Sequence, residues 1–443
     1  MMQKKYFGTD GVRGRVDGDV INAETMAQLG FAIGSVLTET IATPTVLIGR
    51  DTRESGLRLQ DALQAGLLSS GVSVSLLGVL STPAVAYFTE TLSADAGIVI
   101  SASHNPYYDN GVKIIGKQGE KFSDEWEMCI EKKMMNPVAL TEKNNNNNPI
   151  SIIPDAAEKY CSHCLQLFQS LNLKNKKIIL DCANGATFNA APKIFSVLSA
   201  EIILIHAQPN GKNINDHCGA TDVKKLQERV IAEKADCGIA FDGDGDRLIM
   251  VDHLGEVVDG DEILAILATD VSKKYSGIIG TLMSNLGLEM TIRSRGMQFE
   301  RASVGDRYVL EKLKKNNWRL GGEGSGHLIN LDYASTGDGV LTALQVLQIL
   351  QKTNQSLHEA KQVMQKHPQV LINVPVKNPE RFSSMTTIAN AVTAAEKKIN
   401  GSGRVLLRAS GTESCVRVMV ECDDAHQAHS LAESIAETVR LAF

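Results

Sequence analysis

The sequence has 443 residues, of which 43% are hydrophobic and 22% are charged, close to the averages of globular proteins, so an intrinsically disordered chain is excluded. Because domains commonly hold ~150 residues, we expect three or four of them. A formal net charge of −6 without a long Lys/Arg tract argues against a nucleic-acid partner, and no apolar run is long enough to cross a bilayer.

The first predicted element is a helix over residues 22–37. Asn22 is a suitable N-cap, and apolar side chains recur at helical spacing from Met26 to Leu37. After it, one α/β pattern occurs three times: an apolar strand, a polar or glycine-containing turn, a helix and a second strand. The first strands are predicted at residues 46–48, 178–180 and 278–279, the turns at 49–51, 181–187 and around 284–285, and the second strands at 72–76, 202–205 and near Phe299.

The pattern changes beyond residue 368. A strand at residues 371–374, a helical stretch, paired strands around 405–407 and 416–420 and a terminal helix predict a smaller α+β domain. The asparagine-rich run at residues 143–149 has no apolar periodicity, so we interpret it as an exposed loop. The predicted fold is three related α/β domains, at residues 1–152, 153–254 and 255–367, plus an α+β domain at residues 368–443.

The eight cysteines are scattered through a large chain whose first residues show no apolar signal core. We therefore expect reduced thiols and a cytoplasmic location. The one close pair, Cys161 and Cys164, has no second pair to complete a zinc site and no preceding strand of the redox type. Its predicted role is helix packing.

A run of three aspartates, Asp242-Gly243-Asp244-Gly245-Asp246-Arg247, lies between two apolar strand-like segments. Like charges this close repel each other unless a cation neutralises them, and the glycines let alternate side chains converge. The run therefore predicts a hard divalent metal site. An EF-hand calcium loop is excluded because Arg247 and His253 stand where that loop needs glycine and glutamate. The alternative is a solvated acidic turn.

The segment Ser101-Ala102-Ser103-His104-Asn105-Pro106 follows a predicted buried strand, so its serines lie at a strand end. A serine is a weak nucleophile alone and needs a base, a metal or a pre-installed phosphoryl group. A turn-stabilising serine and histidine pair is the alternative. Lys113 follows closely and is a candidate for an anionic site, against the alternative of a surface lysine.

Two further loops suit a phosphorylated sugar. Between the last two predicted strands, Arg408, Ser410, Gly411, Thr412 and Arg417 offer guanidinium groups, hydroxyls and an open backbone, which favour phosphate. The glycine-rich run from Gly321 to His327 places the Glu323 carboxylate and the Ser325 hydroxyl on a predicted flexible loop, where they suit sugar hydroxyls.

Together these four loops, in their order along the chain, resemble the α-D-phosphohexomutase superfamily, whose motifs are a serine loop, a metal loop, a sugar loop and a phosphate loop, and the resemblance extends over essentially the whole chain. It includes Phe7-Gly8-Thr9-Asp10-Gly11-Val12-Arg13-Gly14 and Gly305-Asp306-Arg307-Tyr308. The opening motif and the run from Ser101 to Lys113 are more similar to the phosphoglucosamine mutase family than to the phosphomannomutase/phosphoglucomutase family. The resemblance implies a central active-site cleft between the four domains. It does not decide the oligomeric state, for which both a monomer and a homodimer are considered.

The resemblance also implies residue roles. Ser103 would carry a phosphoryl group, and Mg2+ would be held by Ser103, Asp242, Asp244 and Asp246. Lys113, His104, Arg13 and Arg247 would assist proton transfer or charge stabilisation. Glu323, Ser325 and His327 would bind the sugar, and Arg408, Ser410, Gly411, Thr412 and Arg417 the non-reacting phosphate. Ser414 and Gly324 depart from the family pattern and put the mobility of their loops in question.

The implied activity is that of an isomerase which interconverts glucosamine 6-phosphate and glucosamine 1-phosphate through a bound glucosamine 1,6-bisphosphate, feeding UDP-N-acetylglucosamine and cell-wall synthesis. The expected partner is thus a small hexosamine phosphate. A metal-dependent sugar phosphatase and a non-catalytic sugar-phosphate sensor are the competing hypotheses. A separate phosphate loop argues against the first, and a sensor requires neither Ser103 nor three aspartates.

Overall fold

A computed structural model of the chain describes residues 5–8, 10–135, 150–410 and 414–443. The predicted asparagine-rich loop, Gly411 and Thr412 lie outside these residues. Within the described part of the chain, every helix is too short or too polar to span a bilayer.

The first unit is a seven-stranded mixed sheet with four helices, in the strand order β1-β2-β6-β5-β3-β4-β7. Its elements are β1 (Phe7–Gly8), β2 (Gly11–Arg15), α1 (Ala23–Thr38), β3 (Thr45–Arg50), α2 (Gly56–Ser69), β4 (Ser73–Val79), α3 (Thr82–Thr91), β5 (Ala96–Ile100), β6 (Asp109–Gly116), α4 (Asp124–Met135) and β7 (Ile150–Ile152). The predicted cap is confirmed, since the Asn22 side chain accepts from the N–H of Thr25 at the start of α1.

The second unit is a five-stranded sheet in the order β12-β11-β10-β8-β9. Its elements are α5 (Ala156–Leu167), β8 (Lys177–Asp181), α6 (Ala190–Val197), β9 (Glu201–Ile205), α7 (Lys224–Glu233), β10 (Cys237–Phe241), β11 (Leu248–Asp252) and β12 (Val257–Val258).

The third unit is a four-stranded sheet in the order β14-β13-β15-β16. Its elements are α8 (Gly260–Leu267), β13 (Gly277–Thr281), α9 (Leu286–Ser294), β14 (Gln298–Ala302), α10 (Asp306–Asn316), β15 (Leu320–Gly322), β16 (Leu328–Asn330), α11 (Gly339–Thr353) and α12 (Leu357–Lys361).

The C-terminal unit is a three-stranded antiparallel sheet covered by two helices, which matches the predicted α+β domain. Its elements are β17 (Gln369–Pro375), α13 (Thr386–Ile399), β18 (Gly403–Ala409), β19 (Cys415–Cys422) and α14 (Ala425–Ala442). Its apolar core is separate, whereas one continuous core joins parts of the other three units.

One strand order recurs in the first three sheets. The segments β4-β3-β5-β6, β9-β8-β10-β11 and β14-β13-β15-β16 each hold three parallel strands and an antiparallel fourth. The turn into that fourth strand carries Ser103 in the first unit, the three aspartates in the second and Glu323 in the third. The three related α/β domains predicted from sequence are thus confirmed, while their boundaries stay a prediction.

Two local expectations have clear outcomes. The turn predicted at residues 49–51 is wrong in its first part, because β3 continues through Arg50, which pairs with strands on both sides. The expectation for the close cysteine pair is confirmed: Cys161 and Cys164 are buried in α5, and all eight cysteines are free thiols.

Candidate active site

Ser103 is held firmly at the end of β5. Its backbone has a left-handed φ of 51° and its exposed fraction is 1%. The N–H of Ser103 donates to Oγ of Ser101 at 2.9 Å, and the Ser101 hydroxyl donates to Asp51 at 2.6 Å. The carbonyl of Ser103 accepts from Arg53 at 3.0 Å and from Asn215 of the second unit at 2.8 Å. These contacts fix the loop and leave the Ser103 hydroxyl to point toward the second unit.

The three aspartates form a buried turn directly opposite Ser103. The Ser103 hydroxyl donates to Oδ2 of Asp242 at 2.6 Å. One oxygen each of Asp242, Asp244 and Asp246 lies within 4.8 Å of the others, and all three residues are buried. The alternative of a solvated acidic turn is therefore wrong.

Lys113 neutralises part of this charge from within the first sheet. Its Nζ lies 2.7 Å from Asp244, 3.0 Å from Asp246 and 3.4 Å from Asp10. Burial alone would lower the pKa of Lys113, but these carboxylates raise it well above its ordinary value. The residue is only 1% exposed, so the alternative of a surface lysine is wrong.

The aspartates differ in their proton affinity. Burial, with Asp246 and Asp244 as like-charged neighbours, raises the pKa of Asp242 well above its ordinary value. Burial also acts to raise the pKa values of Asp244 and Asp246, yet the Lys113 ammonium holds both below the ordinary value. Asp244 and Asp246 are therefore ionised at neutral pH.

The donor set fits a hard divalent cation. Oδ1 of Asp244 and Oδ1 of Asp246 are buried and accept no hydrogen bond of normal length from the described residues, and the nearest cationic ring, that of His327, lies 3.6 Å from Oδ1 of Asp246. Burying an unsatisfied carboxylate oxygen is costly, and an oxygen-coordinated metal would satisfy both atoms. Asp242 supplies a third oxygen beside the Ser103 hydroxyl.

Two other groups of potential ligands in the described chain are already satisfied. Asp181 accepts from His206 at 2.9 Å and from the N–H groups of Ala183 and Gly219. In the second group, Asp252 lies 2.7 Å from the ammonium of Lys361 and 2.9 Å from the His358 ring, so its side chain already has partners. Neither group has the unpartnered oxygens of the aspartate turn.

The turn between β15 and β16 brings the predicted sugar residues beside the aspartate turn. Glu323 accepts from the N–H of Gly305 at 2.7 Å and from the exposed Ser325 hydroxyl at 3.1 Å. His327 is buried 3.6 Å from both Asp246 and Asp306. Burial opposes its protonation, but the two carboxylates raise the pKa of His327 to about 9. His327 thus links the sugar turn to the aspartate turn as a cation.

His104 lies close to positive charge. Burial first, and then the guanidinium groups of Arg247 and Arg13, lower the pKa of His104 to about 4, so its imidazole is neutral. Arg13 is bonded to Asp10, and Arg247 lies 4.0 Å from Asp246. The structure therefore brings all four predicted residues of the charge-stabilising group to one place, including Lys113.

Arg408 and Arg417 are direct cross-strand partners on β18 and β19. Burial and the neighbouring Arg417 lower the pKa of Arg408, and the Glu323 carboxylate opposes this shift. Nε of Arg408 is buried without a hydrogen-bond partner among the described residues. Ser410, the first residue after β18, donates its N–H to the carbonyl of Cys415 at 3.0 Å. Two adjacent guanidinium groups favour a bound anion within electrostatic reach of the sugar turn.

The structure adds residues to which the sequence assigned no role. Lys121 contacts Asp10 and lies 2.5 Å from Asp306, so it joins the first unit to the third next to His327. Asp10 and Asp306 belong to motifs on which the family resemblance rests, and nothing else in the sequence pointed to a role for them. Thr82 donates to Asp244 at 2.6 Å, and no motif pointed to it.

Four models of one family match consecutive parts of the chain. They are described as phosphoglucomutase/phosphomannomutase α/β/α domain I at residues 4–139, domain II at 158–255, domain III at 259–367 and the C-terminal domain at 371–438.

Curated relatives match from end to end. The phosphoglucosamine mutase of Coxiella burnetii is 52% identical, and the alignment covers 99% of each chain. That of Pasteurella multocida is 49% identical, covering 99% of this chain and 100% of the relative.

Solved structures share the fold. A phosphoglucomutase/phosphomannomutase family protein from Burkholderia thailandensis has a TM-score of 0.82 at 23% identity, covering 100% of this chain and 98% of that one. The N-acetylphosphoglucosamine mutase of Aspergillus fumigatus, solved with GlcNAc-6P and magnesium, has a TM-score of 0.70 at 18% identity, covering 99% of this chain and 96% of that one.

Proposed function

We propose that the protein interconverts glucosamine 6-phosphate and glucosamine 1-phosphate. This proposal starts from the family: the chain belongs to the phosphoglucosamine mutase family of isomerases. Identity of about half over the full length supports the glucosamine assignment and disfavours the phosphomannomutase/phosphoglucomutase alternative. The product would feed UDP-N-acetylglucosamine and cell-wall synthesis.

One observation carries the mechanism: the Ser103 hydroxyl lies 2.6 Å from Asp242, inside a buried turn of three aspartates. A phosphoryl group on Ser103 would place its oxygens against these carboxylates, which only a cation makes tolerable. We assign Mg2+ to this position, held by Asp242, Asp244, Asp246 and an oxygen of phosphorylated Ser103. When bound, it neutralises charge on the transferring phosphoryl group.

The proposed reaction has two transfers. Phosphorylated Ser103 gives its phosphoryl group to the 1-hydroxyl of glucosamine 6-phosphate: the bond from phosphorus to Oγ breaks as the bond to the sugar oxygen forms, and the hydroxyl proton passes, on balance, to Oγ. The resulting glucosamine 1,6-bisphosphate turns around in the cleft and returns its 6-phosphoryl group to Ser103. The Ser103 proton passes to the 6-oxygen, and glucosamine 1-phosphate is released. In this proposal Lys113, Arg13, Arg247 and His104 assist by charge stabilisation or proton transfer. Lys113 lies 2.7 Å from Asp244, Arg247 lies 4.0 Å from Asp246, and His104 follows Ser103 in the chain.

The remaining contacts orient the substrate. Glu323 and Ser325 bond the sugar hydroxyls, with His327 holding the turn against Asp246. The non-reacting phosphate is assigned to the C-terminal unit, through Arg408, Ser410, Gly411, Thr412 and Arg417. This second phosphate subsite supports a mutase over a sugar phosphatase, which has no use for it. Eight free cysteines support a cytoplasmic location, and both monomer and homodimer suit the proposal.

A phosphorus NMR time course tests the substrate. With Mg2+ and a trace of the hexose 1,6-bisphosphate, we expect a kcat/KM for glucosamine 6-phosphate at least ~100-fold above those for glucose and mannose 6-phosphates, about 2.7 kcal/mol of discrimination. Equal turnover of the other sugars would reject the glucosamine assignment.

Mass spectrometry tests the mechanism separately. Purified protein should carry phosphate on Ser103, and the Ser103→Ala variant should fold normally, lack the phosphate and lose almost all activity. Absence of phosphate on Ser103 after incubation with the bisphosphate and Mg2+ would refute the phosphoserine mechanism.

A further inference from the structure

The backbone of the aspartate turn is held at three consecutive carbonyl groups. The N–H of Ala186 donates to Gly243 at 2.8 Å, that of Thr82 to Asp244 at 2.8 Å, and that of Gly339 to Gly245 at 3.0 Å. The donors belong to the second, first and third units respectively. The turn therefore lies where three units meet, and its geometry depends on all of them.

Thr82 makes a second contact with the turn through its side chain. Its hydroxyl donates to Oδ2 of Asp244 at 2.6 Å, and the ammonium of Lys113 donates to the same oxygen at 2.7 Å. Both donors occupy one carboxylate oxygen, while Oδ1 of Asp244 is buried and receives no hydrogen bond from the described residues. Rotation about the bond to the carboxylate would exchange the two oxygens, and these two hydrogen bonds oppose that rotation.

We infer that Thr82 is a positioning residue for metal binding, an inference that rests on the proposed function. Its N–H fixes the backbone of Asp244, and its hydroxyl holds Oδ2, which leaves Oδ1, buried without a hydrogen bond from the described residues, as the metal ligand. Partners that orient ligand side chains in this way typically contribute ~10–100-fold to metal affinity. Lys113 shares its ammonium with Asp246 and Asp10, whereas the Thr82 hydroxyl donates its proton to Asp244.

A purely structural role is the competing explanation, since Thr82 is 3% exposed and lies in the first turn of α3. Thr89 provides a matched control on the same helix. It is also buried, but its hydroxyl donates to the helix's own carbonyl at Val85, 2.8 Å away. Substitution of either threonine by valine keeps the volume and the backbone N–H, and removes one hydroxyl.

The test measures Mg2+ affinity by calorimetry on the full chain, and the thermal midpoint in EDTA. We expect Thr82→Val to weaken Mg2+ binding by about tenfold or more, Thr82→Ser to restore it to within about threefold, and Thr89→Val to leave it unchanged. The two valine variants should have similar midpoints in EDTA. Raising the Mg2+ concentration should recover the turnover of Thr82→Val.

The measurements distinguish failure of the inference about Thr82 from failure of the metal assignment, and Asp244→Asn is the reference for loss of a proposed metal ligand. Unchanged Mg2+ affinity in Thr82→Val, alongside a clear loss in Asp244→Asn, overturns the role of Thr82 and leaves the metal assignment standing. Absence of Mg2+ binding by the unsubstituted protein overturns both. If Thr82→Val does not fold, Thr82→Ala is measured instead and must show the same loss of affinity, or the inference fails.

Discussion

Replacing Lys113 with methionine tests how the buried aspartates are tolerated. The substitution keeps most of the side-chain volume and removes the ammonium. At an effective dielectric constant of about 20, distances of 2.7 Å to Asp244 and 3.0 Å to Asp246 correspond to roughly 5–6 kcal/mol of gross attraction each. Desolvation of the buried ions offsets most of this attraction.

We expect Lys113→Met to lower the free energy of unfolding by about 3–5 kcal/mol, the usual cost of removing one partner of a buried ion pair. The assay is urea denaturation in EDTA and in saturating Mg2+. The loss should be smaller with Mg2+, because a bound cation neutralises the same carboxylates. Lys117→Met is the matched control, since that side chain is 63% exposed and lies 3.8 Å from Asp95, so a change within about 0.5 kcal/mol is expected.

A loss below about 1 kcal/mol in EDTA for Lys113→Met would refute this reasoning. So would a loss of equal size with and without Mg2+, because the carboxylates would then not be the groups that Lys113 stabilises.

Two further predictions concern the charged side chains of Asp338 and Arg408. Burial raises the pKa of Asp338 to about 6 from 3.8, so its contribution to stability is present below about pH 4 and is lost as pH rises through 6. Asparagine can still cap α11 at this position. In urea denaturation, the free energy of unfolding of Asp338→Asn should exceed that of the unsubstituted protein by at most about 3 kcal/mol at pH 8 and should equal it at pH 4. An equal increase at both pH values would contradict this prediction. Arg408→Met should raise KM for the sugar phosphate ~10–100-fold with a smaller change in kcat, because it removes the charge-assisted hydrogen bond that we propose Arg408 makes to the phosphate. Steady-state kinetics showing an unchanged KM would remove Arg408 from the proposed phosphate subsite.

Much of this architecture could be predicted from local sequence. The apolar strands of all three units, the cap at Asn22 and the turns that carry Ser103 and Asp242 follow from periodicity and turn chemistry, which act over a few residues. The C-terminal antiparallel strands were likewise apparent from their apolar runs.

Contacts between units could not be predicted in this way. Thr82 and Asp244 are far apart in the chain, as are Lys121 and Asp306, and only the docking of units brings each pair together. The burial of Lys113 depends on the same docking, which is why a surface position was a fair alternative from the sequence. The continuation of β3 through Arg50 was missed because sheet pairing on both sides overrides the local preference of glycine for a turn.

The recurring strand order bears on how substrate choice can be re-engineered. The turn with Glu323 leaves the third sheet from the same position at which the turns with Ser103 and the aspartates leave theirs, and each turn is anchored by its own pair of strands. On the proposed function, a graft confined to residues 323–325 would exchange the sugar-contacting groups, and we expect it to leave the strand registers of the other two hairpins intact. Substrate choice and phosphoryl transfer would then depend on separate hairpins and could be altered separately.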